Sequence, residues 1–318
     1  MIRWGSPFAR VEGSRQGAGR VAEIDVTLAR DGAAGGRKRI RVNGAPRRAS
    51  ALPSALRAVI FAPEELLLIV GAPTPRRAVL DELASHLVPA YSADLAAYGR
   101  ALLQRNHLLR AIREERADRA QLAFWDERLV LAGTAVLEAR HLLLAEIAPP
   151  LAAAHAEIAP GAGELRLRYV TNSPPGAGES QGAALARRLA ETADKELWNG
   201  STLVGPHRDD LAFELDGRGM ASAASRGQQR TAILALKLAE MDLLAALDGQ
   251  PPLLLLDDVF SELDPARRAH LVRRVIALPQ VFMTAVTLSD LDPALRAAAT
   301  TWRVETEAGR AQLVPGGA

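Results

Sequence analysis

The run Pro252-Leu253-Leu254-Leu255-Leu256-Asp257-Asp258 constrains this chain more than any other stretch. Four leucines are too few for a helix of ordinary length; with proline ahead and two carboxylates behind, they read as a buried strand. A helix near Ala266 to Ile276 and a second apolar strand, Val281-Phe282-Met283, follow. Strand, helix, strand at this spacing is the grammar of a parallel sheet in an α/β fold. In open α/β sheets, ligands bind at the carboxyl ends of the strands. Asp257 at that end is placed to hold a hard Mg²⁺, directly or through water, and Asp258 to polarise a water for attack on a γ-phosphate. The plainer reading is that the two acids cap the helix that follows.

Two neighbouring segments bear on that choice. Ser261-Glu262-Leu263-Asp264 precedes Pro265, so Asp264 fits an N-cap with proline at the first helical position. Upstream, Ser225-Arg226-Gly227-Gln228-Gln229-Arg230 stands at the mouth of a helical segment, Thr231 to Leu247. A helix N-terminus offers unpaired N–H groups and a partial positive charge, which a hydroxyl and a glycine would turn into a phosphate receptor. A serine cap with a polar first turn is the alternative.

The rest of the chain divides by period. Ile24, Val26 and Leu28 alternate in one strand and Ile40 and Val42 in the next, with Asn43-Gly44 as a turn, which predicts a small antiparallel sheet. A helix starts near Pro75. Between 90 and 148 the period is helical: Leu95, Tyr98, Leu102, Leu109 and Ile112, then Leu122, Trp125, Leu129, Val136 and Leu143. Two long helices follow, parted by the charged stretch 114–119 and closed by Pro149-Pro150, as a projecting hairpin arm or a bundle lobe. After the strand-like Leu165 to Tyr169, the Pro/Gly/Ser-rich stretch Asn172 to Gly182 reads as a loop.

Composition removes several classes. The 318 residues are 48% hydrophobic, enough for a sizeable core, and contain no cysteine, which excludes disulfides and thiolate metal sites and fits a reducing compartment. The charged residues Arg3, Arg10, Glu12, Arg15, Arg20, Glu23 and Asp25 leave no apolar signal core, and no apolar run is long enough to span a bilayer. The expectation is a cytoplasmic protein. Net charge is only +2, so a polyanion partner has to be argued from where the positive charges lie. Arg37-Lys38-Arg39-Ile40-Arg41 with Arg47-Arg48 is either a phosphate-contacting cluster or a solvated edge strand; alternation puts Lys38 on the face opposite Arg37 and Arg39. Arg76 and Arg77 meet phosphates or open a solvated helix. His207 is given no chemistry.

Four ordered blocks carry a resemblance over nearly the whole chain. Pro63-Glu64-Glu65-Leu66-Leu67-Leu68-Ile69-Val70-Gly71-Ala72-Pro73-Thr74-Pro75-Arg76-Arg77-Ala78-Val79-Leu80-Asp81 is similar to the segment that characterises RecF proteins, except that Val79 stands where they prefer an aromatic. Gly205-Pro206-His207-Arg208-Asp209-Asp210-Leu211 resembles a second RecF block. Ser225 to Arg230 looks like the ABC signature motif in its RecF form, and Leu253 to Asp264 like a Walker B strand followed by the D-loop. The resemblance implies an α/β fold: an ABC-type ATPase head of mixed and parallel sheet flanked by helices, with an inserted α-helical arm lobe. Residues 1–85 and 201–318 would form the head and 86–200 the lobe.

The resemblance further implies a recombinational DNA-repair and replication ATPase of the SOS response. Its cofactors are ATP and Mg²⁺; it dimerises on ATP around DNA (single-stranded, duplex, gapped or junction), with RecR and RecO as partners. Asp258 is then the catalytic base and Asp257 the metal ligand, while Ser225, Gly227, Gln228, Gln229, Arg230 and Asp264 bind the shared nucleotide, the signature residues acting across the dimer. This requires that the Asp257 strand not lie at the rim of its sheet and that the Ser225 turn not be buried in its own monomer.

One departure stands out: no G-x-x-x-x-G-K-[ST] loop occurs. The expectation is a chain that begins late and by itself binds ATP weakly or not at all. Slow hydrolysis is also expected, because Met283-Thr284-Ala285-Val286-Thr287 offers only Thr284 or Thr287 where ABC transporters place a histidine. Two other readings remain: a non-catalytic DNA- or partner-binding remnant, and the nucleotide-binding subunit of a membrane transporter, which the inserted helices and the Asp-Asp pair oppose.

Overall fold

The computed structural model describes residues 2–17, 20–30, 36–49, 52–260, 263–307 and 309–316. They form two compact units, Met1–Val59 and Ile60–Ala318.

The first unit is an antiparallel meander of β1 (Phe8–Gly17), β2 (Arg20–Arg30), β3 (Gly36–Val42) and β4 (Ala45–Arg47), followed by the short helix α1 (Leu52–Ala55). Register explains the alternation in the sequence. Val11, Val26 and Ile40 share one row, and Ile24 and Val42 the row beside it, so the aliphatic side chains gather on one face and Ile40 is buried. Asn43 and Gly44 have φ of 50° and 75°, the left-handed pair that a two-residue hairpin turn needs to match strand twist.

The second unit begins with β5 (Ala58–Phe61), α2 (Leu67–Val70), α3 (Pro73–Leu87) and α4 (Tyr91–Arg113). Next comes α5 (Leu122–Ile158), which runs straight through Pro149 and Pro150. The expectation that the prolines close this helix is therefore corrected. Proline removes the N–H groups that would bond the carbonyls of Ala145 and Glu146, but those two residues and Pro149 are exposed, so water can satisfy the carbonyls. On the opposite side Ile147, Leu151 and Ala154 are buried and hold the helix in place. The hairpin of α4 and α5 does not stand away from its unit.

β6 (Leu165–Val170), α6 (Gln181–Asn199), β7 (Asp210–Leu215), β8 (Arg218–Gly219) and α7 (Met220–Ala223) follow. Helix α6 packs on both α4 and α5, which makes the helical region a bundle lobe. The strands β6-β7-β8 form an antiparallel sheet.

Helix α8 (Arg226–Asp248) lies against α5, and its residues 231–241 are all buried. Its start is five residues earlier than the apolar period suggests, because Ser225 and Gln228 form a capping box that draws the polar turn into the helix. Then come β9 (Leu253–Asp257), α9 (Pro265–Ile276) and β10 (Val281–Thr284), a strand-helix-strand unit with β9 and β10 parallel as expected. Their sheet is ordered β10-β9-β5, so β9 is its middle strand. The chain ends in α10 (Pro293–Ala298) and a hairpin of β11 (Trp302–Glu307) and β12 (Arg310–Pro315) that the sequence reading did not include. The α/β architecture of mixed and parallel sheet with an inserted helical lobe is what the chain adopts.

Candidate functional site

Leu254 and Leu256 anchor β9 in the core at 2% and 3% exposure, which fixes the direction in which the strand delivers its last residue. Asp257 emerges exposed at the carboxyl end, and Asp258 follows with φ of 49°. A left-handed non-glycine residue is strained, though less for aspartate than for most. It turns the chain sharply and aims two successive carboxylates differently. The parallel register sets Thr284 beside Asp257. Its hydroxyl donates to Asp257 Oδ1 at 2.5 Å and accepts from the Asp258 N–H at 3.1 Å. One side chain of β10 thus pins both residues of the pair, and of Thr284 and Thr287 only the former makes this contact.

Arg230 and Ile233 of α8 line a cavity of about 20 Å³ together with Asp257, Asp258, Phe61 and Leu263. That is room for roughly one water and far too little for a nucleotide, so any nucleotide would lie on the open surface beyond Asp257.

The turn that opens α8 divides by function. Ser225, Arg226 and Gln228 are exposed. Ser225 Oγ accepts from Gln228 N at 3.3 Å, and the Gln228 side chain accepts from Ser225 N at 2.8 Å, which leaves the serine hydroxyl proton available to an incoming acceptor. A Cβ on Gly227 would meet nothing nearer than Ser225 Oγ at 3.9 Å, so packing within the chain does not demand glycine there. Gln229 is turned inward; it is 9% exposed and donates to the Ala224 carbonyl at 3.3 Å. It tethers α8 to the turn before it. The signature-like stretch therefore places Ser225, Gly227 and Gln228 at the surface, and Arg230 beside the carboxylate pair of the same chain.

Asp264 caps α9: its carboxylate accepts from Arg267 N at 3.0 Å and pairs with the Arg267 guanidinium. That backbone N–H, with the guanidinium, holds the carboxyl below its usual range. Ser261 and Glu262, which belong to the same expected loop, lie outside the described residues.

The arginines at the start of α3 are neither phosphate ligands nor solvated. Arg76 is 7% exposed and grips Asp210 through Nε and Nη2, both at 2.7 Å, while Nη1 donates to the Gly71 carbonyl at 2.8 Å. Arg77 donates to the Asp209 carbonyl at 2.9 Å. The blocks 63–81 and 205–211 are thus two halves of one buried joint. His207 belongs to it too: Nδ1 lies 2.5 Å from Tyr98 Oη, and burial pushes the imidazole down to about 4, so it is neutral at physiological pH.

Several buried ionic groups went unread in the sequence. Arg140, 1% exposed, is bonded to Asp81, Tyr91, Tyr169 and the Pro206 carbonyl. Arg105 holds Asp126 and the enclosed Glu196. Lys237 of α8 lies 2.8 Å from Glu65 and 3.2 Å from Glu240. The available signal was a lysine and a glutamate three residues apart in an otherwise apolar helix. Among the described residues, no group of three or more His, Cys, Asp or Glu side chains forms a metal cage, and no helix is long and apolar enough to cross a membrane.

No protein-family model matches the chain. It is 38% identical over 327 residues to the DNA replication and repair protein RecF of Chloroflexus aggregans, covering 96% of this chain and 83% of that protein. Against the DNA replication and repair protein RecF of Bacillus subtilis it is 34% identical over 313 residues, covering 97% and 83%. Among solved structures, that of the recombination mediator protein RecF with ATPrS in the RecFOR pathway superposes with a TM-score of 0.82 at 27% identity, over 98% of this chain and 82% of that one. The RecF-ATP structure of the same pathway gives 0.78 at 28% identity, over 90% and 77%.

Proposed function

The chain belongs to the RecF family of DNA replication and repair proteins, and from that premise we propose that it acts as an ATP-dependent DNA-binding clamp in recombinational repair. Two copies meet over ATP, with the Ser225 turn of each facing the Asp257 and Asp258 pair of the other; closure holds DNA and slow hydrolysis releases it. The observation that carries this reading is the placement of the pair. It emerges from the middle strand of the sheet, pinned by Thr284, while Ser225 is exposed as the cap of α8. Both conditions for a shared site are met by that arrangement.

The roles follow from the chemistry of each group. Asp257, an exposed carboxylate with one oxygen already bonded to Thr284, suits Mg²⁺, which keeps most of its waters and takes one or two carboxylates. The ion would supply charge neutralisation at the β- and γ-phosphates. Asp258 orients the attacking water and accepts its proton. Ser225 and the first N–H groups of α8 meet the γ-phosphate of the facing copy. Gly227 lets that phosphate approach the backbone, Gln228 lies at the exposed cap, and Asp264 crosses the interface near it. Arg230 braces the pair from behind, and Gln229 holds the turn in shape. A cytoplasmic location and RecO and RecR as partners belong to the same reading, whose relatives include a recombination mediator of the RecFOR pathway.

Sedimentation of the chain with and without MgATP tests it. An ATP-dependent dimer that Ser225→Arg abolishes and Asp258→Asn prolongs supports the clamp. A dimer indifferent to Ser225→Arg removes the trans role of the signature turn. A chain that binds DNA with no response to ATP takes the second reading, a non-catalytic DNA- or partner-binding protein, which the missing Gly-Lys-Ser/Thr loop in the sequence favours.

A further inference from the structure

The meander of the first unit sorts the basic run of β3 between two faces. Register places Arg37 on a row with Ala29 and Phe8, Arg39 with Thr27 and Arg10, and Arg41 with Asp25 and Glu12. All three arginines are exposed, on the face opposite Ile24, Val26, Leu28 and Ile40. Lys38 shares a row with Leu28, and Arg47 shares one with the buried Ile40, so both belong to the aliphatic face. The seven-residue strand therefore presents a line of guanidiniums at every second position.

Charge along this face is uneven. Arg10 is engaged by Asp25 at 2.7 Å and by Glu12 at 2.5 Å, and Arg41 stands on the row of those two acids, so that end is nearly neutral. The rows of Arg39 and Arg37 contain no carboxylate, and positive charge accumulates there. Guanidinium groups bind phosphate oxygens in a bidentate fork. Alternate strand residues are roughly 6.8 Å apart, a spacing that lets successive arginines follow one phosphate strand. The face offers no groove-filling element, so base edges would go unread.

Resting on the reading of the chain as a DNA-binding protein, we infer that this solvent face, led by Arg39 with Arg37 and Arg41 in line, is a contact surface for the phosphate backbone of duplex DNA. Lys38 and Arg47, though adjacent in sequence, take no part. Binding there is sequence-independent and falls steeply with salt.

The test is fluorescence anisotropy of a labelled duplex oligonucleotide, titrated with the 318-residue chain across a salt series, with and without MgATP. Arg37→Gln/Arg39→Gln is compared with Lys38→Gln/Arg47→Gln, which removes the same charge from the other face, and with Arg37→Lys/Arg39→Lys, which keeps it. Far-UV circular dichroism matched to the parent establishes folding. The expected result is that only the first variant weakens binding, with the slope of log K against log salt shallower by roughly 0.9 per lost phosphate contact, up to about 1.8. If the parent binds and the first variant keeps its slope, the stripe serves another partner and the inference is overturned. Equal losses in both charge-removing variants would also overturn it, because net charge rather than the face would then be responsible. A parent chain that does not bind DNA at all defeats the functional reading itself and this inference with it.

Discussion

Replacing Arg76 by methionine tests whether the joint between α3 and β7 is structural. The side chains of Arg76 and Asp210 are 8% and 27% exposed. The guanidinium makes two bonds of 2.7 Å to the carboxylate and one of 2.8 Å to the Gly71 carbonyl. Removing one partner of a buried pair costs about 3–5 kcal/mol, mostly because the other charge is left uncompensated. Asp210 stays partly hydrated and keeps the Leu211 N–H at 2.8 Å, which places the loss at the low end, about 3 kcal/mol. At roughly 2 °C per kcal/mol for a body of this size, the melting temperature should fall by about 6 °C, measured by differential scanning calorimetry and confirmed by urea denaturation.

Changing both partners, Arg76→Met/Asp210→Leu, should recover most of the loss, since no charge is then stranded. The pair also sets a pH signature. Burial opposes ionisation of Asp210, but the Arg76 hydrogen bonds prevail and hold its carboxyl below the usual range. A depressed value in the folded state means the stabilisation is complete above the ordinary aspartate pKa of about 3.9 and fades as pH falls through the lower folded value. The gap between parent and Arg76→Met should therefore shrink in acid. A variant that melts with the parent at neutral pH, yet binds ATP or DNA less well, would refute this reasoning and return Arg76 to the phosphate role.

Three further outcomes follow from particular residues. Glu240 is enclosed, and burial pushes it up to about 7 despite Lys237; because the folded state keeps a proton that the unfolded chain loses above about 4.3, stability should fall between those pH values by at most about 1.4 kcal/mol per unit, and Glu240→Gln should flatten the denaturation profile over that range. Asp258 carries the left-handed φ of 49°, so Asp258→Gly should melt above Asp258→Ala by about 1 kcal/mol while neither hydrolyses ATP; the reverse order of melting would show that the backbone there is unstrained. Pro149→Ala/Pro150→Ala restores two donors and removes ring clashes inside α5, and should raise stability by up to about 3 kcal/mol; an unchanged melt would mean that solvent already satisfies the carbonyls at no cost.

Local information carried much of this protein. Four leucines between prolines and acids specify the strand, because no other element suits a short, wholly apolar run. Asn43-Gly44 specifies its turn, because few residue pairs accept two positive φ angles. The cap at Asp264-Pro265 is likewise a matter of a few adjacent atoms. Even the face on which Arg37 and Arg39 lie follows from the period of two.

Whatever depended on a partner distant in sequence was not legible. Arg76 looked like a helix-start cation until Asp210, 134 residues on, was found against it. Pro149 and Pro150 looked like terminators until Ile147 and Leu151 were seen holding the helix from the other side. Thr284 was one of two candidate hydroxyls until the register of β10 put it beside Asp257. In each case the side chain's role is set by which groups desolvate and bond it. A linear sequence gives a residue's chemistry and its local period, while only the folded chain decides which charges lose their water, and that loss separates a surface ligand from a buried strut.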